Sequence, residues 1–131
     1  FYIRVGQPGV LKAKDGGFAT FVIHGSPGSG KTYTMTDLEE RAAYDFFENM
    51  GSEEQSTTVS VQYVEFCDNE CFDLIGPIGA FVRVTEKGDD GSFRFKGALS
   101  KTASNPHELL QILSNAKRRL ATQATIRKRG D

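Results

Sequence analysis

The feature that most constrains this chain is a glycine-rich loop at residues 25–32, which satisfies the pattern Gly-x4-Gly-Lys-Thr at every position. Glycine lacks a Cβ atom, so the backbone N–H groups of such a loop can wrap closely around phosphate oxygens. Lys31 supplies a positive charge for the β- and γ-phosphates, and the hydroxyl of Thr32 is a ligand for Mg²⁺. The loop therefore predicts binding of a nucleoside triphosphate, with ATP or ADP and Mg²⁺ as cofactors. The predicted binding residues are Gly25, Ser26, Pro27, Gly28, Ser29, Gly30, Lys31 and Thr32.

The segments on either side of the loop supply the context that this motif requires. Residues 18–23 are apolar and rich in aromatic and β-branched side chains, which predicts a buried strand. From Thr32 to about Asn49, apolar residues recur at intervals of three and four, which predicts an amphipathic helix. A helix that begins at the loop adds the partial positive charge of its N-terminus to the phosphate site. Pro27 has no N–H group, but it precedes the donors expected from Gly28 onward.

The remainder of the chain alternates between helix and strand patterns. A short helix is predicted over about residues 9–14, followed by a glycine-containing turn at 15–17. Residues 58–66 alternate in polarity, as a strand with one better buried face does. Residues 81–85 and 92–96 are two further alternating segments on either side of a polar turn that contains glycine. This arrangement predicts a β-hairpin over about residues 81–96.

The last helix is predicted over about residues 105–122. Asn105 is a favourable N-cap, Pro106 suits the first helical position, and Glu108 stands three residues after the cap. The order strand, loop, helix, strand, hairpin, helix predicts an α/β fold, the layered sheet with flanking helices of a P-loop NTPase. Residues 1–131 are expected to form one incomplete domain of this kind.

The residues that would hydrolyse the nucleotide are not evident from the sequence. Phosphoryl transfer needs an acidic residue that helps to hold Mg²⁺ and a group that positions the attacking water. No apolar run ending in Asp follows the last helix. Glu65, Glu70 and Asp73 have suitable chemistry, but positions in turns or at strand edges explain them more simply. The catalytic residues are therefore unassigned, and enzymatic activity of this chain is left open.

Composition and cysteine usage bear on the partners. The net charge is −1, and no apolar run reaches the roughly 18 residues of a membrane span, so neither nucleic acid nor a membrane is an expected partner. The chain begins at Phe1 rather than Met, which suggests that it belongs to something longer or processed. Cys67 and Cys71 would need both histidines to complete four zinc ligands. Reduced thiols near a strand end in a cytosolic protein are the simpler interpretation.

Residues 28–35, Gly-Ser-Gly-Lys-Thr-Tyr-Thr-Met, resemble the P-loop of kinesin motor domains, which continue after Lys-Thr with an aromatic residue or His and then Thr-Met. Further blocks agree with that family in order and spacing. Residues 1–17 resemble the helix and turn that precede the P-loop strand. Residues 59–70 with 72–75 resemble the strand written V-S-hydrophobic-x-E-I-Y-N-E and the following D-L-L. Residues 96–99 with 104–110 resemble the hairpin end and the next helix, and residues 119–125 resemble the N-R-x-x-x-x-T region of that helix.

This resemblance implies a microtubule-dependent motor ATPase that acts in the cytoplasm on the cytoskeleton, with a coiled coil elsewhere in the parent protein. It implies that Tyr33 lies beside the adenine of the bound nucleotide. It also implies that the hairpin from Arg83 to Lys96 faces the microtubule, with Lys87, Arg94 and Lys96 as candidate contacts to acidic tubulin. Any exposed hairpin carries such charges, so this last assignment rests on the resemblance.

Two departures from the kinesin pattern keep other functions open. Kinesins have Gln-Thr where this chain has Ser26-Pro27, and prolines at these positions are found in AAA+ ATPases. Residues 126–131 do not match the kinesin switch I, and switch II does not occur in these residues. One hypothesis is the ATP-binding part of a motor, which would hydrolyse ATP poorly alone. The others are a non-motile kinesin-like binding module and a different P-loop ATPase of the AAA+ type.

Overall fold

Helices and short strands are both present in the computed structural model, which describes residues 2–26, 28–48, 57–87 and 92–128. These residues fall into two compact units, Phe1–Thr57 with Ser104–Leu110, and Thr58–Ala103 with Gln111–Asp131. A π-helical turn at Tyr2–Gly6 precedes the first α-helix. The helices are α1 (Gln7–Lys14), α2 (Lys31–Phe47) and α3 (Pro106–Lys128). The strands are β1 (Val59–Val61), β2 (Val64–Cys67), β3 (Glu70–Asp73), β4 (Arg83–Lys87), β5 (Ser92–Lys96) and β6 (Lys101–Ala103).

The core of the first unit lies between α1, α2 and the N-terminal turn. Tyr2, Val10 and Leu38 are buried together. The apolar stripe predicted for α2 is confirmed, because Leu38 and Ala43 are buried and further stripe residues pack against this core. The half-buried side chains that pack there are Phe21, Ile23, Met35, Ala42 and Phe46. The helix predicted at residues 9–14 is also confirmed and begins two residues earlier, at Gln7.

Polar contacts join α1 and the N-terminal turn to the C-terminal end of α2. The buried hydroxyl of Tyr2 donates a hydrogen bond to the Asp45 carboxylate. The Lys14 amine donates to the backbone carbonyls of Asp45, at 2.9 Å, and of Glu48. Carbonyl groups at the C-terminal end of a helix lack donor partners within the helix, so a lysine there can cap them. Its positive charge also interacts favourably with the negative end of the helix dipole. Burial, and then the bond to Asp45, raise the pKa of Tyr2.

Residues 18–23 differ from the predicted buried strand. They have no paired strand among the described residues, and Phe18 and Val22 are 85% and 79% exposed. Phe21 and Ile23 instead turn toward the core of the first unit. The alternation of exposure is that of a strand with one packed face. A strand is completed by hydrogen bonds to a neighbour, and apolar content alone does not provide that neighbour.

The segment predicted as one strand over residues 58–66 is two strands with different partners. In the second unit β1 pairs antiparallel with β6, with Val59 opposite Ala103. The next strand, β2, pairs antiparallel with β3, with Val64 opposite Asp73. The polarity pattern continues through the break at residues 62–63, so periodicity could not reveal the change of partner.

The hairpin formed by β2 and β3 is not among the elements that the sequence pattern predicts. Its two connecting residues, Asp68 and Asn69, have φ angles of 51° and 65°. Positive φ at both central residues is the requirement of a type I′ turn, which matches the twist of the flanking strands. Asp and Asn tolerate this conformation better than most residues. The dipeptide Asp-Asn between two alternating segments was therefore the signal that could have located the turn.

The predicted hairpin at residues 81–96 is confirmed as β4 and β5, which pair antiparallel from Arg83 opposite Lys96 to Lys87 opposite Ser92. Its strand β4 begins two residues later than predicted, and the turn at 88–91 lies outside the described residues.

The mixed α and β content predicted for the fold is confirmed. The layered sheet is not present among the described strands, which form three separate two-stranded sheets.

The start of α3 follows the prediction closely. The Asn105 side-chain oxygen accepts a hydrogen bond from the Glu108 N–H at 2.9 Å, and the Glu108 carboxylate accepts one from the Ser104 N–H at 2.8 Å. These reciprocal bonds satisfy donors at the end of the helix that have no partner within it. The helix continues to Lys128, past the predicted end near residue 122.

No helix in the described ranges combines the length and apolarity needed to cross a membrane.

Replacing Asn105 by alanine is expected to lower the free energy of unfolding by about 0.5–2 kcal/mol, because the cap of the first turn is lost. Urea unfolding followed by circular dichroism measures this change. Ser114→Ala, at an exposed position in the same helix, is the matched control and is expected to change stability little. Equal destabilisation by the two substitutions would contradict the capping role.

Candidate nucleotide-binding site

The loop at residues 25–32 leads directly into α2, as the motif requires. Gly28 and Gly30 have φ angles of 81° and 89°, which residues other than glycine rarely adopt. Gly30 is the N-cap residue of α2. The Ser29 N–H donates to the Ser26 carbonyl at 3.1 Å, and the Thr34 N–H donates to the Gly30 carbonyl at 3.0 Å. The two glycines thus provide the bends by which the backbone enters the helix.

The N-terminal turn of α2 is suited to an anion. Among the described residues no side chain caps it, and the first turn contains no acidic residue. The first N–H groups of a helix lack partners within the helix, and its dipole places partial positive charge there. Phosphate groups bind such helix ends in many proteins. A carboxylate in the first turn would compete for the same donors, and here there is none.

Lys31 is half-buried, and its amine reaches back across the loop to donate a hydrogen bond to the Gly25 carbonyl. Gly25 itself has little room, because a Cβ atom there would lie 2.7 Å from the Ser29 Oγ atom. The ammonium group thus lies at the Gly25 carbonyl, and Lys31 itself is the first residue of α2. The loop therefore carries the charge of Lys31 and the partial positive charge of a helix N-terminus, and both suit a phosphate chain.

Thr32 and Tyr33 follow in the first turn of α2, and both are exposed. The Thr32 hydroxyl is accessible to a metal ion that accompanies the phosphates. The Tyr33 ring is 80% exposed, which leaves its faces open for a planar ligand. Pro27, the remaining predicted binding residue, lies outside the described residues. The donor set of the described loop residues thus fits a nucleotide with Mg²⁺.

The three acidic residues considered for metal binding lie in the second unit and have different surroundings. Glu70 is exposed at the turn end of β3, and Glu65 is half-buried in β2. Asp73 is 1% exposed, and its carboxylate accepts backbone hydrogen bonds. Their donors are the N–H groups of Ile75, Gly76 and Leu99, at 2.9, 3.1 and 2.9 Å. Asp73 therefore organises the local backbone, as the simpler interpretation of these residues expects, and the catalytic residues stay unassigned.

The two cysteines lie on adjacent strands of the β2–β3 hairpin and are not joined by a disulfide. Cys71 stands opposite Phe66, and Cys67 stands opposite Glu70. Residues that are directly opposite share a face and neighbouring residues alternate, so the two thiols point to opposite faces. Burial, and then the nearby Asp73, raise the pKa of Cys71. Within the described ranges no group of three potential metal-binding side chains of His, Cys, Asp or Glu is found.

The β4–β5 hairpin carries the candidate tubulin contacts. Arg94 and Lys96 are exposed and alternate along β5, so they share one face, and Arg83 stands opposite Lys96 on that face. These three residues are called the basic face below. Lys87 pairs with Ser92 through the backbone, but its side chain lies outside the described residues. Arg83 was not proposed as a contact from the sequence, although the register of the predicted hairpin places it there. A groove of about 670 Å³ beside the face is lined by Gln62, Thr85, Arg94, Phe95 and Lys96.

Comparison with known proteins points to one family. Residues 1–129 match the family model described as the kinesin motor domain. Diatom spindle kinesin-1 of Cylindrotheca fusiformis is 28% identical over 109 residues, which cover 83% of this chain and 17% of that protein. Kinesin-like protein KIN-UA of Arabidopsis thaliana is 27% identical over 122 residues, covering 86% of this chain and 13% of that protein.

A third relative, kinesin-like protein KIF9 of Mus musculus, is 35% identical over 89 residues, covering 59% of this chain and 11% of that protein. The chain thus spans less than a fifth of the length of each of these curated relatives. The family match covers both the loop with α2 and the hairpin with α3. The chain belongs to the kinesin motor domain family.

Proposed function

We propose that this chain is the nucleotide-binding part of a microtubule-dependent motor ATPase, and that its loop binds ATP or ADP with Mg²⁺. One observation carries the proposal. An intact Gly-x4-Gly-Lys-Thr loop, with Gly28 and Gly30 in the left-handed conformation, opens α2 in a chain of the kinesin motor domain family. The proposal places the protein on the cytoskeleton in the cytoplasm.

Each residue of the site has a distinct task in this proposal. The N–H groups from Gly28 to Thr32 bind phosphate oxygens, and Lys31 exchanges its bond to the Gly25 carbonyl for bonds to the β- and γ-phosphates. Thr32 holds Mg²⁺, which neutralises phosphate charge when bound. Tyr33 places its exposed ring beside the adenine. The residues that orient the attacking water are unassigned, so slow hydrolysis is expected from these residues alone.

Isothermal titration calorimetry of the purified chain tests nucleotide binding. MgATP and MgADP are expected to bind, and AMP is expected to bind at least about tenfold more weakly, because it lacks the phosphates that the loop and Lys31 contact. Titrations without Mg²⁺ are expected to give lower affinity. Equal affinities for AMP and ADP would contradict binding at this loop.

We further propose that the basic face binds the acidic surface of tubulin. Its support is the register of the hairpin, which puts Arg83, Arg94 and Lys96 together on an exposed face. Lys87 is retained as a contact from the family resemblance. Complementary charge accelerates association and fixes orientation, so binding through this face should weaken as salt is added.

The double variant Arg94→Ala/Lys96→Ala is expected to bind microtubules about 2- to 30-fold more weakly, the sum of two exposed ion pairs. Co-sedimentation with stabilised microtubules over a series of salt concentrations measures this loss. Lys101→Ala/Arg118→Ala removes the same charge from exposed positions outside the basic face and is the matched control. An equal loss in the control would show that only net charge matters.

A non-motile kinesin-like module is the second candidate function, and the C-terminal end of α3 favours it. The segment that does not match switch I begins at residue 126, and α3 continues without interruption to Lys128. A motor requires a later Ser-Arg-Ser-His and an Asp-x-x-Gly sequence in the parent protein. Microtubule-stimulated ATP hydrolysis by the full-length protein would support the motor. Nucleotide binding without stimulated hydrolysis would support the binding module.

A further inference from the structure

We propose that Asp73 is the positioning residue of the basic face, because it holds both ends of the β4–β5 hairpin. This inference rests on the proposed binding of tubulin through that face. Asp73 is the last residue of β3 and lies outside the hairpin that it organises. It touches no partner in this proposal, and it acts on Arg94 and Lys96 through the backbone that carries them.

The first end of the hairpin is attached to β3 through main-chain bonds. The Asp73 N–H donates to the Ala80 carbonyl at 3.0 Å, three residues before β4 begins. The Val82 N–H donates to the Cys71 carbonyl at 2.8 Å, and Phe81 forms a bridge with Phe72. The rings of Phe72 and Phe81 also pack, with their centroids 5.1 Å apart. These bonds depend on backbone pairing and would survive a change of side chain at residue 73.

The second end is attached through the Asp73 side chain. Its Oδ2 atom accepts the Leu99 N–H at 2.9 Å, three residues after β5 ends at Lys96. The connection from β5 to this bond is short and ordered, since the Ala98 N–H donates to the Phe95 carbonyl at 3.2 Å. Asp73 therefore fixes one end of the hairpin by its main chain and the other by its carboxylate.

The surroundings of the carboxylate make this attachment rigid. Asp73 is 1% exposed, and the same carboxylate also accepts the Ile75 and Gly76 N–H groups. A Cβ atom at Gly76 would lie 2.5 Å from Oδ2, so glycine is needed for the close approach. The Arg119 guanidinium of α3 donates to the Gly76 carbonyl and attaches this turn to α3. Charge-assisted hydrogen bonds away from water are strong and are costly to leave unmade.

The variant Asp73→Asn tests the proposal, because the amide has the shape of the carboxylate but presents an NH2 group to N–H donors. We expect the Leu99 amide to exchange with solvent at least about tenfold faster, and microtubule affinity to fall about 2- to 30-fold, as in Arg94→Ala/Lys96→Ala. The affinity for MgADP is expected to be unchanged, because the loop of the first unit shares none of these bonds.

The sign of the change in microtubule affinity distinguishes positioning from charge. Asp73→Asn removes a negative charge, which by itself would strengthen binding to an acidic surface. Glu70→Gln removes the same charge from an exposed position three residues away and is the matched control. Weaker binding in Asp73→Asn with unweakened binding in Glu70→Gln supports positioning. Faster Leu99 exchange with unchanged microtubule affinity overturns it.

A second variant covers the case in which Asp73→Asn does not fold. Arg119→Met removes the bond to Gly76 from a half-buried residue and leaves the carboxylate in place. Leu99 amide exchange is again expected to be faster and microtubule affinity lower, both by a smaller factor than in Asp73→Asn. Faster Leu99 exchange without weaker microtubule binding again overturns the proposal. If the unmodified protein does not sediment with microtubules, the proposed function fails. The rate of amide hydrogen exchange at Arg94 and Lys96 then tests the positioning role of Asp73 by itself. Faster exchange in the variants supports that role, and unchanged exchange overturns it.

Discussion

Replacing Lys31 by alanine is expected to weaken the binding of MgATP and MgADP by about 10- to 150-fold, which corresponds to the loss of one charge-assisted contact with phosphate. The Lys31 amine donates a hydrogen bond to the Gly25 carbonyl within the loop, so it is close to where the phosphates would bind. The truncation leaves the loop glycines and the N-terminus of α2 intact. Residual binding through backbone N–H groups is therefore expected.

Calorimetry with and without Mg²⁺ measures this change. Lys12→Ala is the matched control, because Lys12 is an exposed lysine of α1 in the same unit and lies outside the loop. Circular dichroism checks that both variants keep their helices. An unchanged affinity in Lys31→Ala would contradict nucleotide binding at this loop. An equal loss in Lys12→Ala would reduce the effect to net charge.

Replacing Leu38 by alanine is expected to lower the free energy of unfolding by about 2–5 kcal/mol. Leu38 is 6% exposed and lies with Tyr2 and Val10 in the core between α1 and α2. The substitution removes buried methyl groups and leaves a cavity that close-packed neighbours fill only in part. Urea unfolding measures the loss, and Leu11→Ala is the matched control, since Leu11 is 46% exposed on α1.

The affinity of Leu38→Ala for MgADP shows whether the substitution damages only the core or also the nucleotide site. Leu38 lies in α2 but outside the loop, so a folded Leu38→Ala chain is expected to keep its affinity for MgADP. Ligand that binds only the folded state stabilises it by about 2.7 kcal/mol at a hundredfold excess over Kd. Added MgADP should therefore restore much of the lost stability. Equal destabilisation by Leu38→Ala and Leu11→Ala would contradict the assignment of the core.

The confirmed sequence predictions all rest on local signals. The α2 stripe and the Asn105 cap depend on residues within about one turn of each other, and so does the entry of the loop into α2. The β4–β5 hairpin joins strands that are adjacent in the chain. In each case the interacting groups are close in sequence, so the pattern of residue types contains most of the necessary information.

The family could also be recognised from the sequence, because motif blocks preserve residue types in order even where their pairing partners are unknown. The resemblance to kinesins is confirmed by the match over residues 1–129. The predicted tasks of Lys31, Thr32 and Tyr33 stay predictions, and so do the predicted contacts of Lys87, Arg94 and Lys96. They concern contacts with nucleotide and tubulin, which depend on molecules other than this chain.

Tertiary structure decided what depends on distant partners. The polarity pattern of residues 58–66 is continuous, yet β1 pairs with β6, some forty residues later, whereas β2 pairs with the adjacent β3. Residues 18–23 have the composition of a strand but no paired neighbour among the described residues. The Asp73 carboxylate accepts a hydrogen bond from the N–H of Leu99, 26 residues away, a partner that no local pattern indicates. Side-chain patterns determine which face of a segment is buried, but hydrogen bonds between distant segments determine its partner, and only the folded chain brings those groups together.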